Sequence, residues 1–274
     1  MPVRERRSPA PCREREGTPR RVRRFSPLYR LYERRLAAKL EGRPLPQHVG
    51  VILDGNRRWA RMAGLEIVQG HQAGADRIAD LVRWCEELGI NVVTLWMLST
   101  DNLDRDEQEV QDLLEIIASV VSALARTRRW RLQMVGELDL LPPETAERLR
   151  AAEDLTRDID GVHINIAVGY GGRHEIVGAV RELVAESIAD GAGTEELIEA
   201  ITVENVARHL YTKGQPDPDL LIRTSGEQRL GGFLLWQSAH SEFHFAEAFW
   251  PDFRRVDFLR ALRSFSERER RLGQ

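Results

Sequence analysis

Apolar side chains along the chain follow two rhythms, and the rhythms alternate. Leu28, Leu31, Tyr32, Leu36 and Leu40 recur at helical spacing between a Ser26 cap and a Gly42 stop. They predict an amphipathic helix and its connection over residues 25–46, packed on the body of the chain. Residues 49–53, 91–98, 130–135, 162–168, 220–222 and 233–235 are short apolar runs of strand type. Between and after them, helical periods cover residues 73–88, 106–126, 143–156, 173–189, 195–200, 203–210 and 256–271. The clearest is 106–126, with Val110, Leu113, Leu114, Ile117, Val121 and Leu124 on one face. Strand then helix, repeated, predicts an α/β fold with a mostly parallel sheet flanked by helices. No internal repeat and no linker rich in Pro, Gly or Ser occurs after residue 46, so residues 47–274 read as one domain. Residues 1–24 hold much Arg and almost nothing large and apolar. Such a segment cannot offset its ordering entropy and is expected to be a disordered leader.

Composition changes this picture in two places. The net charge of −3 argues against a nucleic-acid partner for the whole chain. It hides a split, since residues 1–43 carry 14 basic and 5 acidic side chains and the remainder 26 and 38. Only Lys39 and Lys213 are lysines, so Arg is the default cation here. The leader therefore reads as a solvated tail in preference to a contact with anionic lipid or RNA. Two cysteines, Cys12 and Cys85, exclude a disulfide scaffold and fit a reducing compartment. No apolar run is long enough to span a bilayer or to serve as a secretion signal. The expected location is the cytoplasm.

Ligands of an open parallel sheet bind beyond the carboxyl ends of its strands. The first strand runs into Asp54-Gly55-Asn56-Arg57-Arg58-Trp59. The amides of such a turn, with a helix dipole and the Arg58 fork, suit a phosphate. Beside them Asp54 reads equally well as a Mg²⁺ ligand bridging to that phosphate or as a helix N-cap. The second strand ends in Ser99-Thr100-Asp101-Asn102, either pocket lining or helix capping. His71 follows Gly70 near a helix start, where an imidazole could meet an anion, although a lone His is more often structural. Arg223 and Arg229 share a loop with little acidic charge except Glu227, which suits a second diphosphate or a weak surface ion-pair loop. There is no Walker-type phosphate loop, no complete G-x-G-x-x-G, no G-x-S-x-G and no H-E-x-x-H.

The stretch from His48 to Arg61 (HVGVILDGNRRWAR) resembles the first signature of the cis-prenyltransferases, the undecaprenyl diphosphate synthase family. Residues 70–74 (GHQAG), 98–102 (LSTDN), 219–229 (DLLIRTSGEQR), 233–242 (FLLWQSAHSE) and 250–253 (WPDF) resemble its later signatures, in order. Long motifs in register over about residues 45–271 make an accidental match very improbable. Within the family the chain resembles the short-chain actinobacterial Z-isoprenyl (Z,E-farnesyl) diphosphate synthases. No two Asp are adjacent, so the Asp-rich motifs of trans-prenyl synthases are absent.

The resemblance implies a homodimer whose six-stranded parallel sheet and helices enclose an apolar tunnel. The reaction it implies condenses isopentenyl diphosphate with an allylic diphosphate, geranyl or farnesyl, with a new cis double bond. Asp54 and Glu242 would hold Mg²⁺, Glu242 close to the dimer interface. Gly55, Asn56, Arg57, Arg58 and His71 would cradle the allylic diphosphate, and Arg223 and Arg229 that of isopentenyl diphosphate. Ser99 and Asn102 would assist proton loss. Trp59, Thr100, Asp101, Leu103, Arg105, Leu230 and Gly231 complete the implied substrate-binding set. Arg271 and Gly273 resemble a tail that finishes the partner subunit's site. Loose membrane-surface association through product or leader is a further expectation.

Three positions depart from the common bacterial pattern. Ile67 stands in place of an Arg that contacts the allylic diphosphate, Gly231 in place of a Ser, and Leu103 in place of a Trp. Met97, beside Leu98 at the end of the second strand, stands where long-chain members usually have Ala. A packed interior has no spare volume for both Met97 and a growing chain. A short product is therefore expected over a long polyprenyl one. A non-catalytic subunit of the same fold is less favoured, because Asp54, Arg58, Asn102 and Glu242 are all present.

Overall fold

A computed structural model describes residues 27–268; the basic leader and the tail with Arg271 and Gly273 lie outside the described residues. Six parallel strands form one sheet in the order β3-β4-β2-β1-β5-β6. They are β1 (His48–Ile52), β2 (Val92–Ser99), β3 (Arg131–Val135), β4 (His163–Tyr170), β5 (Leu220–Arg223) and β6 (Glu242–Phe245). The helices are α1 (Pro27–Ala38), α2 (Asn56–Ala63), α3 (Ile67–Glu87), α4 (Glu107–Arg126), α5 (Pro143–Thr156), α6 (Gly172–Ala189), α7 (Thr194–Ala200), α8 (Val203–Ala207) and α9 (Arg255–Glu267). Among the described residues no helix is long and apolar enough to cross a membrane.

Two expectations are corrected. Residues 233–235 form no strand. Leu234 has φ +45, outside the extended region, and Phe233 and Leu234 lie buried against the sheet as a turn. The sixth strand is β6, whose polar–apolar alternation (Glu242, Phe243, His244, Phe245) is too brief to stand out, and it pairs with β5 from Leu220↔Glu242 to Arg223↔Phe245. The helix expected from residue 73 begins at Ile67, where the Glu66 and Gln69 side chains close a capping box.

Side-chain alternation gives the sheet two unlike faces. Val49, Val51, Val93, Leu95, Ile164, Ile166, Leu220 and Ile222 pack with buried residues of α3, α4, α5 and α9 in the main core. The amphipathic helix α1 joins through Leu36, and Glu33 reaches Arg255 of α9 at 3.0 Å. The opposite face carries Ile52, Trp96, Ala167, Tyr170 and Phe233 near the strands' carboxyl ends. Nearer their amino ends it carries a polar row. Asn165 donates to Thr94 Oγ1 at 2.9 Å, and Gln215 joins Asn165 to Gln133. His48 Nδ1 lies 2.8 Å from the Pro216 carbonyl, an acceptor only, so Nδ1 carries the proton and Nε2 accepts from the Thr94 hydroxyl at 2.8 Å.

Burial lowers the His48 pKa from 6.5 to about 4, against the raising effects of the Pro216 carbonyl and the Asp219 charge. Between those values the unfolded chain binds a proton that the native chain refuses, so His48 subtracts stability as pH falls through that window. The urea midpoint should therefore fall between pH 7 and pH 4.5, and fall less in His48→Gln. An equal fall in both proteins would place the acid sensitivity elsewhere.

Candidate active site

The carboxyl ends of β1, β2 and β5 open into a pocket of about 720 Å³. Asp54 leaves β1 at its floor. Its backbone is clamped by Thr224, which follows β5: the Asp54 amide donates to Thr224 Oγ1 at 2.9 Å, and the Thr224 hydroxyl lies 2.7 Å from the Asp54 carbonyl. The N-cap of α2 is Gly55, with φ +106 and no side-chain cap. Asp54 is thus not a helix cap, and its carboxylate is free for other work. Arg223 Nη2 donates to Asp54 Oδ2 at 2.8 Å, and Arg58 Nη2 to Oδ1 at 3.3 Å. Burial acts to raise the Asp54 pKa, but hydrogen bonding and charge from Arg223, with the Arg58 charge, outweigh it and hold the carboxyl below its ordinary value.

Arg223 is buried, and its Nη1 donates to the Arg229 carbonyl at 2.5 Å, so it is no surface ion pair. Arg229 itself is well exposed and lies 3.7 Å from Glu227. Arg58 also donates to Ser225 Oγ at 2.7 Å and to Glu227 Oε1 at 3.2 Å. Ser225 holds φ +79, a conformation that non-glycine residues rarely adopt. Its amide is fixed by the Ala248 carbonyl at 2.8 Å, which keeps its hydroxyl on Arg58.

The second wall comes from β2, α3 and α4. His71 lies on the second turn of α3, buried on the pocket wall, and neither ring nitrogen has a hydrogen-bond partner. Burial lowers its pKa, against the Glu109 charge, which raises it. Ser99 caps the short turn 100–102 by accepting from the Asn102 amide at 3.2 Å. Asn102 Oδ1 accepts from Arg105 at 2.6 Å. The ladder between β2 and β4 slips after Trp96, where Met97 is the extra residue. This bulge brings Met97 and Leu98 together on the pocket and main-core side.

Of the expected site residues, Gly55, Asn56, Arg57, Asp101, Arg105 and Gly231 also line this pocket. Five stand apart from it. Trp59 donates to Asp252 at 2.9 Å, and Thr100 sits against Gly171. Leu103 packs on the main core and Leu230 on the opposite face. Glu242 is paired with Leu220, three ladder positions back from Arg223, and faces Arg268 at 3.3 Å. The chain alone does not bring Glu242 to Asp54, because parallel register fixes it at the other end of β6. Thr224, Ser225 and Glu109 were missed from the sequence. The signals were present: Thr224 and Ser225 stand within the 219–229 motif, and Glu109 has i,i+4 spacing from Arg105.

Residues 52–273 match the family model described as "Putative undecaprenyl diphosphate synthase". The chain is 59% identical over 248 residues to the (2Z,6E)-farnesyl diphosphate synthase of Thermobifida fusca, covering 90% of this chain and 97% of that one. It is 58% identical over 253 residues to the short-chain Z-isoprenyl diphosphate synthase of Mycobacterium leprae, covering 90% and 96%. The crystal structure of lavandulyl diphosphate synthase from Lavandula x intermedia, in complex with dimethylallyl diphosphate, matches with a TM-score of 0.76. It is 35% identical and covers 82% of this chain and 97% of that one.

Close packing of α2 on α3 sets the cradle. A methyl on Gly70 would lie 2.4 Å from the Asn56 carbonyl oxygen and 2.8 Å from Ala60 Cβ. Gly70→Ala should therefore cost about 1–3 kcal/mol and push Asn56 and the adjoining arginines out of place. Calorimetry should show weakened binding of inorganic pyrophosphate together with a lowered Tm. Gly178→Ala, on α6 with nothing within 4 Å, should leave binding unchanged. Unaltered pyrophosphate binding by Gly70→Ala would show that the cradle tolerates the displacement.

Proposed function

We propose that this chain, which belongs to the undecaprenyl diphosphate synthase family, adds isopentenyl diphosphate to a short allylic diphosphate and stops after one or a few cis additions. A Z,E-farnesyl-sized diphosphate is the expected product. The observation that carries this reading is Met97 in the pocket wall, in phase with Val93 and Leu95 on the main-core face and joined there by Leu98 through the β2 bulge, close to Ser99 and Asn102. The names of the Thermobifida and Mycobacterium relatives agree with it.

The donor set fits Mg²⁺ arriving with a substrate. Among the described residues no three His, Cys, Asp or Glu side chains gather as a metal cage. Asp54 offers one carboxylate amid cationic side chains, and Mg²⁺ is commonly held by one or two carboxylates plus substrate phosphates. When bound it would neutralise charge on the departing diphosphate. Arg57, Arg58, His71 and the amides opening α2 would take the allylic diphosphate, with Arg58 exchanging carboxylate partners for phosphate oxygens. Arg223 and Arg229 would hold the second diphosphate. Ser99 and Asn102 stand at the β2 tip to assist proton loss from the condensing chain. Apolar lining from Leu98, Leu113 and Met97 would keep water from the electron-poor allylic carbon. We place the enzyme in the cytoplasm as a homodimer, with Glu242 acting near the subunit interface and product drawing it loosely to membrane surfaces. The support is the resemblance and the position of Glu242 on the edge strand.

Asp54→Ala should lower kcat by several orders of magnitude while its far-ultraviolet dichroism stays native, since a metal-bridging carboxylate acts mainly in the transition state. Near-normal turnover in Mg²⁺ would remove Asp54 from the reaction. With geranyl diphosphate and excess isopentenyl diphosphate, Met97→Ala should release longer products than the unmodified enzyme. Long polyprenyl products from the unmodified enzyme would refute the short-chain reading, and unchanged products from the variant would move the length limit to another residue.

A further inference from the structure

Two arginines and a buried imidazole from three parts of the chain meet near one carboxylate oxygen. Glu109 stands in the first turn of α4, where its amide donates to the Asp106 cap at 3.2 Å. Its Oε1 lies 3.5 Å from Arg57 Nε of α2, 3.9 Å from His71 Nε2 of α3 and 3.2 Å from Arg105 Nη1. The side chain is only 14% exposed, so these contacts are little screened. Arg105 uses its other branch on Asn102 Oδ1, at 2.6 Å.

The atoms involved separate this carboxylate, which stands behind the pocket wall, from Glu227, which lines the pocket. Glu227 takes Arg58 by Nη1, and Asp54 and Ser225 take Nη2, so the terminal fork of Arg58 is occupied. Glu109 takes Arg57 by Nε, behind the fork, and leaves its two terminal nitrogens toward the pocket that Arg57 lines.

We infer that Glu109 is a positioning residue: it orients Arg57 toward the allylic diphosphate and, through Arg105, holds the Asn102 carboxamide at the reacting centre. The inference rests on the prenyl-transfer reading, with the allylic diphosphate placed at the start of α2. A negative side chain near a diphosphate repels it, so the arrangement helps only if the orientation it imposes outweighs that repulsion. The helix N-terminus that carries Glu109 offsets part of its charge.

The test measures KM for each substrate and kcat in Glu109→Ala, in Arg57→Ala and in the double variant. The unmodified enzyme serves as the control. Glu109→Ala should raise the KM for the allylic diphosphate about tenfold, the scale of one charge-assisted contact, with that for isopentenyl diphosphate changed by less than about twofold. In the Arg57→Ala background the same substitution should cost clearly less, because the steered group is gone. Glu109→Gln, which retains an acceptor, should fall between, and it replaces Glu109→Ala if that variant does not fold. Equal rises in both KM values, additive losses or a fall in the allylic KM would overturn the inference. No turnover by the unmodified enzyme with either primer would instead refute the prenyl-transfer reading.

Discussion

The site depends on where one carboxylate is held. Asp54 ends β1, and its backbone is tied to β5 through Thr224 while its side chain is tied to Arg223 at the end of the same strand. The β1–β5 ladder sets that distance, because Ile52 and Arg223 are partners in register. A shift of one residue would turn Arg223 to the other face and leave Asp54 with Arg58 as its cationic partner. Arg58, Ser225 and Glu227 assemble around the same carboxylate, so two stretches about 170 residues apart in the chain become one electrostatic unit.

That unit is balanced. Arginines are answered by Asp54, Glu227 and Glu109, which spares the folded chain a dense uncompensated positive charge at the pocket. A diphosphate carries enough charge to compete for terminal guanidinium nitrogens, whereas an arginine gripped at Nε keeps its fork available. Close backbone packing serves the same geometry. Glycines at 70 and 74 let α3 approach Asn56, and a Cβ at Gly74 would meet its Oδ1 at 2.5 Å. The two irregularities in the β2–β4 ladder lie at the carboxyl ends, where they bring Leu98 to the same side as Met97 and where Gly169 adopts φ +60. Regular pairing continues elsewhere along those strands.

Local signals carried the α/β alternation, the helix on α4 and the strand tips, because a period of 3.6 or an apolar run with a following Gly is written in neighbouring residues. The motif at Asp54 through Arg58 was legible too, as were Arg223 at the end of β5, Arg229 beyond it and Met97 near the end of β2. Tertiary structure decided the rest. Whether Asp54 caps a helix or faces a ligand depended on Gly55 taking the cap at φ +106 and on Arg223 arriving from β5. Glu242 carried a motif signature, yet parallel pairing places it beside Leu220 and away from the pocket within the chain. Phe233 and Leu234 looked like a strand, because burial against a sheet and membership of a sheet select the same apolar side chains. Glu109 is one of several acids at the start of α4. Its contacts with Arg57 and His71 appear only when α2, α3 and α4 converge, since no spacing in a sequence records which side chains will meet across three helices.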